Sequence, residues 1–221
     1  MHKIKYILSN AAKFHHFETG RALFERNQLS KLICGYPWFK LQNEKIPKKL
    51  ISNHGYFRIF NEIFFRSFAP FANYNFYKKT DDFINIINAK NIDRITKNYI
   101  KKSIDADVLL SLSSVGLNAG KEMKKKNKIY ICERSSSHIV FQNNLLKDEY
   151  KEHTNKVFKM NNWFIDRDLE EYETADIILV PSKFVKNSFD KFNINKVETI
   201  EFGTNLDSFY KNKKIKKSDK F

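Results

Sequence analysis

The sequence predicts an α/β protein with a doubly wound, mostly parallel sheet of about seven strands and helices on both faces. Two observations carry that expectation. The apolar period changes repeatedly along the chain, from short continuous runs to segments of helical spacing. The short runs are bracketed by those helical segments, which implies right-handed crossovers and a parallel sheet covered on both faces. The length, 221 residues, is enough to bury a sizeable core.

In chain order, Ile4 to Leu8 form a first short apolar run. FHHFETGRALFERN follows, with Phe17, Ala22, Leu23 and Phe24 near one face of a helix, and LSKLICGY is short and apolar again. The segment from Tyr56 to Ile104 lacks clear strands; its aromatic start, YFRIFNEIFFRSFAPFANYNFY, predicts helix broken at Pro70, packed on the sheet and offering an amphipathic surface. The alternation then resumes. DADVLLSLSS, KIYICERS, DIILVPS and KVETIEF read as strands, and GLNAGKEMKKKN, HIVFQNNLLKDEYKEH, DRDLEEYETA and KFVKNSFDKF as helices between them. After Phe209 the chain is lysine-rich without periodicity, so residues 1–209 are expected to fold and 210–221 to form a basic linker or disordered tail.

Composition narrows the function classes. Hydrophobic residues at 42% exclude overall disorder, and 4 Pro, 6 Gly and 2 Cys exclude collagenous, low-complexity and disulfide-stapled chains. Cys34 and Cys132 stand in the apolar runs LICGY and IYICE, where a reduced, buried thiol is expected. The net charge of +15 favours anionic partners, yet the basic residues are spread along the chain without an aromatic-basic RNA-binding signature. A solvated basic surface is the expectation, and nucleic acid is disfavoured. No apolar run approaches the length of a spanning helix, and MHKIKYILSN is too short and polar for a signal peptide. The chain is expected to be cytoplasmic, with peripheral contact to an anionic inner-membrane surface left open.

Chemistry is expected where strands end, because ligands of open α/β sheets bind beyond the carboxyl ends of the strands. The first strand runs into SNAAKFHHFETG, which places Lys13, His15 and His16 at a strand-to-helix turn without a G-x-G-x-x-G signature. They either meet an anionic ligand there or merely open the helix. No metal role is expected, since adjacent histidines on a helix point apart. A second turn, ERSSSH, follows the strand KIYIC and opens a helix. Ser135, Ser136 and Ser137 can cap that helix or line a hydroxyl or anion site, with Glu133, Arg134 and His138 adding charge and a titratable ring. A Ser-His nucleophile is disfavoured because G-x-S-x-G is absent.

A third segment is the most specific. An acidic stretch with Glu170 and Glu171 leads into Ala175, Asp176, Val180, Pro181, Ser182, Phe184, Ser188 and Phe189. This run resembles the A-D-x-I-x-V-P-S-x-F-x-x-x-S-F stretch of family 4 retaining glycosyltransferases. The likeness continues into Gly203, Asn205, Asp207 and Phe209, similar to the family's G-x-[DN]-x-x-x-F. It also extends to ERSSSH, which resembles a [DE]-R-G-S-S-H turn with Ser135 in place of glycine, and to KFHHFETGRALFERN.

The resemblance implies a Rossmann-like domain that is the N-terminal, acceptor-side half of a GT-B fold. It assigns His138 to a cleft histidine near the transferred sugar. It gives substrate-binding places to Lys13, His15, His16, Arg134, Ser135, Ser136, Ser137, Pro181, Ser182 and Gly203. It implies a metal-independent reaction with a nucleotide-sugar donor and a sugar or glycolipid acceptor. The family's donor site uses an E-x(7)-E element, and no two glutamates of this sequence are eight positions apart. A donor domain on a separate chain is therefore an expected partner, and this half alone is expected to be inactive. Two alternatives stand beside it: a non-catalytic module binding glycan or anionic lipid, and, favoured by charge alone, a nucleic-acid-binding protein.

Overall fold

The computed structural model describes residues 3–56, 59–60, 63–64, 67, 74–102, 105–154 and 157–203. The predicted tail, the break at Pro70 and the positions of Asn205, Asp207 and Phe209 lie outside the described residues. Seven parallel strands form one sheet in the order β3-β2-β1-β4-β5-β6-β7. They are β1 (Tyr6–Asn10), β2 (Leu29–Cys34), β3 (Ile51–Asn53), β4 (Val108–Leu112), β5 (Ile129–Glu133), β6 (Ile177–Val180) and β7 (Val197–Thr199). The helices are α1 (His16–Glu25), α2 (Tyr74–Lys102), α3 (Leu117–Lys125), α4 (Ile139–His153), α5 (Asn162–Thr174) and α6 (Lys183–Asp190). Positions 56, 59–60, 63–64 and 67 are also helical, as the aromatic segment predicts.

The doubly wound, Rossmann-like sheet expected from the sequence is present. Strand order reverses between β1 and β4, and the chain moves outward in opposite directions on either side of that point. Right-handed crossovers then put the two sets of connections on opposite faces. Side-chain alternation reads the same division. Ile7, Ile33, Leu109, Tyr130, Cys132, Ile178 and Val180 face one core with Ile92 of α2, Met123 of α3, Tyr172 of α5 and Phe189 of α6. Leu8, Leu32, Cys34 and Leu110 face the other with Phe17 of α1 and with Leu41 and Ile46 from the turns after β2. Both cysteines are free and buried.

The second face is covered unevenly. Helix α1 and the short 3-10 turns of residues 38–50 cover β1 to β3, leaving Ile131, Ile177 and Leu179 of β5 and β6 only partly buried. An open trough of about 920 Å³ runs along that bare stretch, walled by α1 on one side and by residues 200–203 on the other.

Three helix-to-strand turns end on an asparagine in the left-handed region: Asn27 after α1, Asn127 after α3 and Asn193 after α6, with φ of 55–56°. Asparagine tolerates that conformation better than other non-glycine residues. At α1 and α3 the bonds Gln28 N–H to Leu23 O (2.7 Å) and Lys128 N–H to Met123 O (3.0 Å) close the last turn and aim the chain back at the sheet.

Candidate functional site

The loops after β1, β4 and β5 meet where the strand order reverses, and the trough opens there. Strand β1 ends in Asn10, fully buried with neither amide atom hydrogen-bonded among the described residues. The chain turns through Lys13, half-exposed and paired with the buried Glu44, into His15 and His16. His15 is the residue before the first helical one, with helical backbone angles of φ −55° and ψ −13°. The two rings nevertheless do not point apart as expected of neighbours on a helix; their centroids lie 4.8 Å apart. Both converge on Glu133, the last residue of β5: His15 Nε2 pairs with Oε1, and His16 Nε2 lies 3.3 Å from Oε2.

The three groups differ in environment. Glu133 is nearly buried, at 5% side-chain exposure, while His15 keeps 21% and lines the trough. His16 is wholly buried; desolvation lowers its pKa to about 4, with Glu133 raising it and His15 lowering it, so the ring is neutral at pH 7. Phe14 and Phe202 pack against the His15 ring, each at 4.4 Å between centroids, and make the mouth apolar.

The ERSSSH turn is held from beneath. Arg134 is buried and points inward, donating to Asp168 (2.6 Å), Ser113 Oγ (3.2 Å), the Ser137 carbonyl (3.1 Å) and Gln142 (2.7 Å). Ser136 shares the Gln142 acceptor, Ser137 is buried, and the Ser135 hydroxyl is buried without a partner among the described residues. The β4 loop is tied into the same framework. Ser114, at φ 72°, and Gly116 both donate backbone N–H groups to Glu171 (2.7 and 2.9 Å), and the Ser114 hydroxyl donates to Asp168 at 2.6 Å. Arg167 of α5 pairs with Asp93 of α2, whose carboxylate also accepts the N–H groups of Asn118 and Ala119 that open α3. This chain of charges links α2, α3 and α5 to the loops at the mouth.

The predicted site residues separate. His15, Pro181 and Gly203 line the trough, and Lys13 and His16 flank its mouth. Ser182 caps α6 through the Val185 N–H. His138 lies elsewhere. It precedes α4, its backbone N–H donates to Ser188 Oγ at 2.8 Å, and its ring is fully buried against Phe192 (3.8 Å, stacked), Phe189 and Tyr172. Glu133 is the residue that sequence reasoning undervalued. Its signal was its place at the end of a central strand; that both histidines reach it depends on the register Leu112↔Glu133 and the neighbouring β1.

No protein-family model matches the chain, and no curated protein matches it. Solved structures do. An enzyme described as a UDP-N-acetylglucosamine 2-epimerase from Listeria monocytogenes aligns with a TM-score of 0.50 at 12% identity, over 89% of this chain and 44% of its own. UGT2 of Phytolacca americana, solved with UDP-2-fluoro-glucose and pterostilbene, aligns at 0.51 and 9% identity, over 91% and 54%. TcCGT1, solved with UDP, aligns at 0.53 and 6% identity, over 91% and 51%. The chain thus spans about half the length of these neighbours. Among the described residues no helix is long and apolar enough to cross a membrane. At such identities the likeness concerns the fold alone, and that fold is a GT-B-like, Rossmann-like domain of the kind found in UDP-sugar glycosyltransferases.

Proposed function

We propose that this chain is the acceptor-side half of a nucleotide-sugar glycosyltransferase that builds a cell-surface glycan or extends a lipid-linked acceptor. The observation that carries the reading is the His15–Glu133 pair at the mouth of the trough, beyond the carboxyl ends of the central strands. Glu133 accepts the Nε2–H of His15 and so fixes the tautomer in which Nδ1 carries the lone pair. That atom is buried and has no hydrogen-bond partner among the described residues, so the ring, 21% exposed as a whole, has to turn toward the trough for an acceptor hydroxyl to reach it. A histidine oriented by a buried carboxylate is suited to bind an acceptor hydroxyl and take its proton as the oxygen attacks the sugar. Lys13, Pro181 and Gly203 frame the approach.

The donor, its diphosphate and the groups that stabilise the leaving charge belong to a separate domain or chain in this reading. The basic, aromatic surface of the chain suits a glycolipid acceptor presented at an anionic, cytoplasmic membrane face. Retention of anomeric configuration is what the family 4 resemblance implies. A second reading is favoured by His15 itself, since a base in the cleft serves direct displacement with inversion. The test is a transfer assay with the donor half supplied, with product configuration read by NMR. His15→Ala is expected to lower turnover by about 10²–10⁴-fold with an unchanged melting curve. Undiminished transfer by that variant overturns the assignment.

A further inference from the structure

His15, His16 and Glu133 each present one potential ligand atom, and these atoms lie within 4.8 Å of one another. Two imidazole nitrogens and a carboxylate oxygen form the donor set that suits a borderline-soft divalent ion, zinc foremost. We propose that this triad is a zinc-type divalent-cation site, with an open coordination position facing the trough.

Four features of the chain support the assignment. His16 is fully buried, and neither ring nitrogen has a hydrogen-bond partner among the described residues, an arrangement that is costly unless something fills it. The ring aims Nε2 at Glu133 from 3.3 Å, and a tetrahedral ion with bonds of about 2.0–2.2 Å holds its ligand atoms about 3.3–3.6 Å apart, so this pair already has the spacing, while His15 and Glu133 have to part and the widest pair, within 4.8 Å, has to close by about 1 Å. Two aromatic rings border the cluster: Phe14 and Phe202 pack on His15 and would limit water around an ion. The open side is defined as well. His15 and Glu133 line the trough while His16 does not, so a fourth ligand, water or an oxygen of a bound molecule, enters from the trough.

This inference goes beyond the transferase reading and bears on its regulation. An ion held by Glu133 and by His15 Nε2 replaces the proton they share, and the neutral ring then carries its proton on Nδ1, the atom on which proton transfer depends. Where the transferase reading holds, zinc inhibits. Binding itself is read without donor or acceptor, so failure of either statement leaves the other intact.

The experiment uses the full chain, stripped with a chelator and titrated with cobalt(II) and then zinc(II). Calorimetry is expected to give one zinc per chain. Cobalt is expected to give the visible absorption of a four-coordinate site with nitrogen and oxygen ligands, bleached by zinc. Loss of one ligand is expected to weaken binding at least as much as loss of an outer-shell partner does, about 10–100-fold. His16→Ala, His15→Ala and Glu133→Gln should each show that loss, and circular dichroism of each variant reports whether it is folded. His15→Ala and Glu133→Gln keep the test decisive where a cavity at the buried His16 prevents folding. His153→Ala removes the exposed His153–Glu149 pair and is expected to change nothing. Absence of one-to-one binding, or binding that survives unweakened in the folded triad variants, overturns the proposal.

Discussion

Acidification tests the place of His138. Its ring is fully buried among Tyr172, Phe189 and Phe192, and its pKa is lowered to about 4, by burial first and by the Arg134 guanidinium second. In the unfolded chain the same ring titrates at 6.5. Between those values the unfolded state binds the proton and the folded state does not. The stabilisation is therefore fully present above pH 6.5 and is lost as pH falls from there toward 4. Moving from pH 7 to pH 5 costs about 1–2 kcal/mol through this residue alone, the lower figure allowing for solvent screening. Such screening is real here because Phe192, stacked on the ring, is 37% exposed. The assay is urea unfolding of the wild type and His138→Phe at both pH values. Phenylalanine keeps the aromatic packing and the backbone N–H to Ser188 but cannot take a proton. His16 titrates in the same window, and Glu171, pushed up to about 8 by burial and by Asp168, acts in the opposite sense. The observable is consequently the difference between the two proteins. The variant should lose about 1–2 kcal/mol less stability than the wild type on acidification. Equal losses would mean that the His138 ring is open to water and free to face a ligand, and the packing account would fail.

Two further predictions concern the framework beneath the mouth. Asp93→Ala takes from the buried Arg167 the nearer of its two carboxylates, leaving Glu171 at 3.5 Å, and uncaps the first N–H groups of α3; urea unfolding should show a loss of about 3–5 kcal/mol, and a loss below about 1 kcal/mol would show that the charge chain carries little. Gly120 lies against Tyr130 so closely that any Cβ would run into the ring. Gly120→Ala should destabilise by about 1–3 kcal/mol, and Tyr130→Leu in the same chain should recover part of that loss, whereas additive losses would argue against the contact.

The strands legible in the sequence were those whose apolar runs stand alone. VLLSL lies in the middle of the sheet, where burial on both faces leaves a continuous hydrophobic signature, and IYICE and IILV keep such a run although one of their faces is only partly covered. Strand β3 was not separately legible, because an edge strand of three residues, ISN, needs neither length nor apolar content. The helix DRDLEEYETA was read from Asp166, while Asn161 caps it at Trp163 N and starts it at Asn162, a local hydrogen bond that periodicity does not report. Asn27, Asn127 and Asn193 were a usable signal for helix ends. The site was legible only in part. The turn after β1 was picked out by its position, but the meeting of His15, His16 and Glu133 depends on pairing across residues more than a hundred positions apart. Sequence likewise picked out His138, yet whether a ring faces a cleft or a core is decided by Tyr172, Phe189 and Phe192, which arrive from two later helices and the turn after them.

The bonds from Ser114 and Gly116 to Glu171 bear on where an anionic ligand can be received. Two loop N–H groups two residues apart, the first on a left-handed residue, make a cradle for negative charge, and at the end of a central strand such a cradle is where a phosphate would be expected to settle. Here the chain has lodged the carboxyl group of Glu171 in it, with Arg167 alongside. A ligand arriving at this end of the sheet finds the β4 position already taken, so its charge has to be met by the loop after β1, where Lys13 stands.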